Sequence, residues 1–238
     1  VSAPFDAGAD LADAPLVAGA ALRPRHAATL VLIRRDGPEP RLLMGRRAGG
    51  HVFMAAKWVF PGGRLDRSDY GVPAARELEP ATRALLERTA PPRRARALAL
   101  AAVRETFEET GLILGRASVA AGRAPTRGSW RAFLDRGLLP DLEPLRFIAR
   151  AITPPGRTRR FDTRFFLADA QALASLEPGA GCGELEETAW FGLPETAALD
   201  LPAITRFVLA EIAARLAEPG RPAPYVRMVR GRHVVGVV

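Results

Sequence analysis

Residues 104–112 read Arg-Glu-Thr-Phe-Glu-Glu-Thr-Gly-Leu and close the strongest helical pattern in the chain, over 94–110. A helix turns about 100° per residue, so Glu105, Glu108 and Glu109 share one face within about 100° of arc. Leu100, Val103 and Phe107 form a separate apolar stripe. Gly111 suits the position just past the helix, where φ is positive. Three carboxylates on one turn repel each other, and Arg104, which can reach Glu108 at i+4, offsets only one of them. A hard divalent cation with oxygen ligands would relieve the repulsion, and Mg²⁺ commonly bridges carboxylates to substrate phosphates. A bare acidic turn of this kind is more often a solvated face, so its surroundings decide the matter.

Those surroundings read as an α/β domain. Residues 27–34 form a buried strand ended by Asp36-Gly37-Pro38, and 41–46 are its hairpin partner. Residues 57–60 make a short strand that runs into Pro61-Gly62-Gly63. Strands are predicted at 146–153 and 161–168 with a Pro-Pro-Gly turn between them, another at 187–192, an amphipathic helix at 203–217, and a terminal strand or hairpin about Gly231 over 225–236. Strands and helices alternate irregularly, which favours a mixed sheet over a doubly wound one. Residues 1–25 lack periodicity and read as an N-terminal arm, 26–220 as the catalytic-size domain, and 221–238 as a C-terminal tail.

Phe60-Pro61-Gly62-Gly63 followed by Arg104-Glu105-x-x-Glu108-Glu109-x-Gly111 resembles the signature of the Nudix hydrolases, in two separate pieces and in the expected order. The resemblance implies an α/β/α sandwich with a mixed β-sheet and hydrolysis of a diphosphate linkage dependent on Mg²⁺ or Mn²⁺. By the same resemblance Glu108 and Glu109 are the principal metal ligands, and Glu105 is a further ligand or the base that activates water. Arg104 orients the carboxylates, and Gly63 allows close approach and offers its carbonyl to metal. Asp69 stands where the family usually has Glu. It precedes Arg104 by 35 residues, against 8 in the usual box, so roughly 27 residues are inserted.

That insertion, at 70–96, contains a helical stretch near 81–88 and prolines at 73, 80, 91 and 92, so it cannot be one long helix. It is expected to form a partly helical lobe beside the site that shapes substrate access. Such split boxes are similar to the branch that includes coenzyme A and acyl-coenzyme A diphosphatases. Ile152-Thr153-Pro154-Pro155 and Arg160-Phe161-Asp162-Thr163-Arg164-Phe165-Phe166 also look like that branch. A second coenzyme A pattern is matched by Arg47-Ala48 but not by Val52 and Ala56. Coenzyme A or an acyl derivative is therefore the leading substrate expectation.

The remaining candidates are weaker. Arg47 and Arg160 are expected to hold substrate phosphates, with Arg157 and Arg159 beside them, because guanidinium suits bidentate recognition of oxygen. One further carboxylate is expected from Glu184, Glu186 or Glu187. His26, His51 and His233 have no ligand spacing. Cys182, the single cysteine, excludes an internal disulfide and a cysteine-built zinc site. The formal charge is +8 and nearly all arginine, Lys57 being the one lysine. This could draw anions, but biased composition explains it more simply, so nucleic acid is not the expected partner. No apolar run is long enough to span a bilayer, and the first twenty residues lack a basic segment of the secretory type, so a cytoplasmic protein is expected. The sequence leaves open a homodimer, a non-catalytic ligand-binding module on the same fold, and an RNA-end processing hydrolase.

Overall fold

The computed structural model describes residues 4–13, 22–48, 56–123, 128–177, 179 and 181–238. His51 and Val52 lie outside them. In chain order the elements are α1 (Ala7–Asp13), β1 (Arg25–Arg34), β2 (Arg41–Arg47), β3 (Trp58–Val59), β4 (Gly62–Arg64), α2 (Pro80–Glu87), α3 (Pro92–Thr110), β5 (Gly115–Ala117), α4 (Ser129–Leu134) and β6 (Leu138–Pro140). They continue with β7 (Arg146–Ile152), β8 (Phe161–Asp169), β9 (Leu185–Gly192), α5 (Ala203–Ala217), β10 (Pro224–Val229) and β11 (Arg232–Val237).

Strand β1 is rich in β-branched and aliphatic residues and is central to the sheet, whose order is β11-β10-β7-β8-β1-β2-β3. β4 also pairs with β1, and β9 with β2. The pairs β1–β8 and β10–β7 are parallel and the other pairings of this sheet antiparallel, so the sheet is mixed. The period-2 alternation of β1 feeds two cores: Leu30 and Leu32 face the layer of α3, while Val31 and Ile33 face the layer of α5. Helix α3 presents Leu98, Ala99, Ala102 and Val103 to the first core, and α5 presents Phe207, Val208 and Ile212 to the second. The result is the α/β/α arrangement with a mixed sheet that the sequence leads one to expect.

Helix α3 starts with Pro92 at its first turn, where a proline lacks nothing because that N–H would be unpaired in any case. It ends at Gly111, with φ 72° and its N–H on the Phe107 carbonyl. The last five positions of the expected insertion therefore belong to this helix. The hairpin of β10 and β11 turns at Gly231, and β10 extends the sheet alongside β7.

The insertion is compact and partly helical, and its apolar side chains pack into the core. Val72, Leu78, Leu86 and Ala90 are buried in the α3-side core, and no residue from 70 to 96 lines the main cleft. The apolar side chains that suggested docking have been drawn into the core rather than left beside the site. Buried Arg164 on β8 ties the end of the lobe down, donating through Nη2 to the Thr89 carbonyl at 2.8 Å. Among the described residues no helix is long and apolar enough to cross a membrane.

Candidate active site

The site begins where β4 runs under the C-terminal half of α3. Pairing of Ala28 and Thr29 on β1 with Gly63 and Gly62 brings this glycine turn against the helix. A Cβ on Gly63 would lie 2.5 Å from the carboxyl carbon of Glu105, so any larger residue would have to push that carboxylate aside. The Gly62 N–H donates to Glu109 Oε2 at 2.9 Å. Glu105 and Glu108 line the cleft, whereas Glu109 is turned inward and is 3% exposed.

Arg104 organises this face. Its Nη1 donates to Glu105 at 2.8 Å and to Glu108 at 3.1 Å. Its Nε and Nη2 grip Asp69 at 2.8 and 3.0 Å, and Nη2 also donates to the Arg64 carbonyl. Asp69 is wholly buried and receives two more bonds, from Trp130 Nε1 and from the Asp66 N–H, each at 2.8 Å. Every lone-pair direction of that carboxylate is thus engaged, which fixes the guanidinium. Burial alone would lower the Arg104 pKa. Its hydrogen bonds to Asp69 and the charges of Glu105, Asp69 and Glu108 outweigh it and raise the value, so the group stays charged.

One guanidinium serves three carboxylates here, and among the described residues a fourth, Glu109, receives a backbone donor alone. Burial, opposed by Arg104 and reinforced by the charges of Glu108 and Glu184, pushes Glu105 up to about 7. Burial also raises Glu109 well above the carboxylate range, against the Gly62 hydrogen bond. Among the described residues no three acidic, histidine or cysteine side chains are arranged to hold a metal ion. Arg104 stands between Glu105 and Glu108, and Glu109 faces Gly62. The donor chemistry nonetheless fits a hard divalent cation. Carboxylate oxygens are short of positive charge, and a backbone segment approaches so closely that a side chain would fill the gap.

The cleft has a volume of about 1360 Å³ and runs from this glutamate face along the exposed ends of β1, β8 and β7 to the N-terminus of α5. Arg47 and Glu184 line it near the glutamates. Arg160 lines it farther along, but its guanidinium is engaged by backbone, Nε on the Thr153 carbonyl at 3.0 Å and Nη1 on the Leu22 carbonyl. Arg157 is buried and paired with Asp10. Glu187 is not brought to the cleft; it is exposed and lies 3.4 Å from Arg46. Glu186 is exposed and 3.9 Å from the same arginine.

Two contributions escaped the sequence reading. Trp130, far from Asp69 in the chain, carries no local signal of its role. Phe5, Asp10 and Asp13 also line the cleft. The segment expected to be a loose arm is docked over 4–13, because its carboxylates meet buried cations that sequence distance hides.

No established family profile matches the sequence. A Nudix hydrolase from Alicyclobacillus acidocaldarius is 32% identical and superposes with a TM-score of 0.60, the match covering 79% of this chain and 90% of that one. The acyl-coenzyme A diphosphatase NUDT19 of Gallus gallus is 30% identical over 60% of this chain, which spans only 54% of the length of that relative. Identity at this level over nine-tenths of a solved hydrolase, joined to the mixed sheet and the glycine turn set against a glutamate helix, places the chain in the Nudix hydrolase family.

Proposed function

We propose that the protein hydrolyses a diphosphate linkage in a nucleoside diphosphate-linked small molecule, and that the substrate is coenzyme A or an acyl-coenzyme A. The observation that carries this reading is the placement of Glu105 and Glu108 at the wall of a long cleft, with Gly63 against Glu105 and Arg104 locked by Asp69. The substrate class is supported by similarity to an acyl-coenzyme A diphosphatase and by Arg47 on the cleft wall.

Glu105, Glu108 and Glu109, with the Gly63 carbonyl, would hold Mg²⁺ or Mn²⁺. When bound there, such a cation would supply charge neutralisation and Lewis acidity. Because it also offsets their mutual repulsion, convergence of the three carboxylates is expected with metal and not without it. Glu105 accepts the proton of the attacking water as the new O–P bond forms, and the anhydride P–O bond breaks with its electron pair leaving on the departing phosphate. Arg104 keeps Glu105 and Glu108 in position, and Arg47 meets phosphate oxygens from across the cleft.

The test is a panel of coenzyme A, acyl-coenzyme A, ADP-ribose, dinucleoside polyphosphates and capped RNA, incubated with Mg²⁺ or Mn²⁺ and read by product mass. Opening of the coenzyme A diphosphate, abolished by EDTA, is the expected result. Glu105→Gln should lower kcat on the order of 10²-fold or more, and the Glu108→Ala, Glu109→Ala double variant should lose metal-dependent turnover. Full activity of that double variant would sink the reading, and cleavage of capped RNA but not coenzyme A would overturn the substrate class.

A further inference from the structure

Two carboxylates of α1 line the cleft, and each meets a basic side chain. Asp10 Oδ2 lies 2.9 Å from Arg157 Nη2 and 3.3 Å from His233 Nε2. Asp13 lies 3.0 Å from Lys57 Nζ through one oxygen, and through the other it accepts the N–H of Ala203 at 2.6 Å. Ala203 opens α5, which has no cap from its own neighbouring side chains because Pro202 precedes it. Asp13, 190 residues away, therefore supplies an anion to the positive end of that helix.

One donor here is left unmet by α1: Arg157 is 4% exposed, and among the described residues its Nη1 is buried with no hydrogen-bond partner, whereas Lys57 Nζ has a second carboxylate, Asp200, at 2.8 Å. A buried guanidinium nitrogen without an acceptor is costly, and a ligand oxygen would relieve it. Arg157, His233, Asp10 and Asp13 all line the cleft. Asp10 and Asp13 are three residues apart on α1, so the two positions lie about one helical turn from each other, a span of roughly 5–6 Å.

Helix α1 is weakly held. It has seven residues and none is buried, so its own turns contribute little. Among the described residues its attachments are the two charged contacts, the Asp10 carbonyl that accepts from Arg157 Nη2, packing against α5, and Phe5, which stacks near Phe207 and His233 at ring-centroid distances of 5.9 and 4.9 Å. Contacts of this kind are open to competition from another anion.

We propose that Arg157, His233, Lys57 and the N-terminus of α5 form an anion subsite for a phosphate-bearing ligand, and that Asp10 and Asp13 stand in for its phosphates until α1 is displaced. The phosphate class rests on the diphosphate reading of the cleft. The subsite itself does not, since it is built from cations that the proposed chemistry leaves unused. Internal occupation weakens apparent affinity by the fraction of molecules whose subsite is free.

The experiment measures binding of pyrophosphate and of ADP by calorimetry in EDTA, where the glutamate face repels anions and no turnover occurs. The probes are applied to wild type and to an Asp10→Asn, Asp13→Asn variant. Neutralising both carboxylates should tighten binding by about tenfold, equivalent to about 1.4 kcal/mol. Adding Lys57→Gln and His233→Gln should abolish the gain, and circular dichroism should show the fold retained, since α1 buries no residue. A larger gain for ADP than for pyrophosphate assigns the phosphate to a nucleotide, and an equal gain assigns it to a free anion; either supports the subsite. Unchanged affinity in the double variant overturns the proposal, as does a gain that survives loss of Lys57 and His233. Failure to bind would leave metal-dependent hydrolysis intact, and failure of hydrolysis would leave the binding result intact.

Discussion

A single Cβ is enough to test how tightly the glycine turn and the glutamate helix are fitted. In Gly63→Ala the new carbon would sit 2.5 Å from the Glu105 carboxyl carbon, so the carboxylate must move. Misplacement of a reacting group by about 1 Å can reduce rate on the order of 10²-fold. The expected outcome is a fall in kcat of that order with the fold intact, read by steady-state kinetics and thermal melting. Wild-type kcat in this variant would show that Glu105 has room to spare and that the contact is incidental. Asp69 belongs to the same scale. It acts through Arg104 and touches no substrate, and its full set of donors explains why a shorter acid can stand where the family usually has Glu.

The insertion and helix α2 are structural elements of the α3-side core. Leu86 on α2 is fully buried there, with Leu78, Ala90 and Val72 close to fully buried. Leu86→Ala should therefore lower stability by about 2–5 kcal/mol, measured by urea unfolding, while KM stays at its wild-type value. A changed KM with unchanged stability would restore the idea of a lobe that governs substrate access. Replacing the whole insertion should unfold the domain rather than retune it, because Arg164 would lose Thr89 and α3 would lose part of its cover.

Across the whole molecule, Asp162 joins the strands on which the cleft rests. It pairs with Arg150 of β7 at 2.8 Å and with Arg164 of β8 at 2.8 Å, and it lies 3.5 Å from His26 of β1. Burial alone would raise its pKa, but the Arg150 hydrogen bond and the charges of Arg164 and Arg150 outweigh burial and hold it below the usual value. A group depressed in the folded state contributes stability above its unfolded pKa, and that stability is lost as pH falls through the folded value. The loss should thus begin below about pH 4. Asp162→Asn should cost roughly 3–5 kcal/mol at neutral pH, because buried Arg164 and half-buried Arg150 lose their counter-charge. The variant should also lack this part of the acid-dependent decline. Parallel pH–stability curves for wild type and variant would contradict the assignment.

What the sequence determined by itself was local. A period of 3.6 placed three glutamates on one helix face, Pro-Gly-Gly ended a strand, and a nearly continuous apolar run in 27–34 made a buried strand. Each of these follows from neighbours a few residues apart. The tertiary structure decided the rest, because the deciding contacts join distant residues: Asp69 with Trp130 across 61 positions, Asp10 with Arg157 across 147, and Asp13 with Ala203 across 190. It held Arg160 at the cleft by backbone carbonyls, sent Glu187 to the surface, and drew apolar side chains of the insertion into the core. Buried charges took partners that offset their loss of water and apolar side chains took the core, while Glu187 kept its water; no local pattern in the chain specifies those partners.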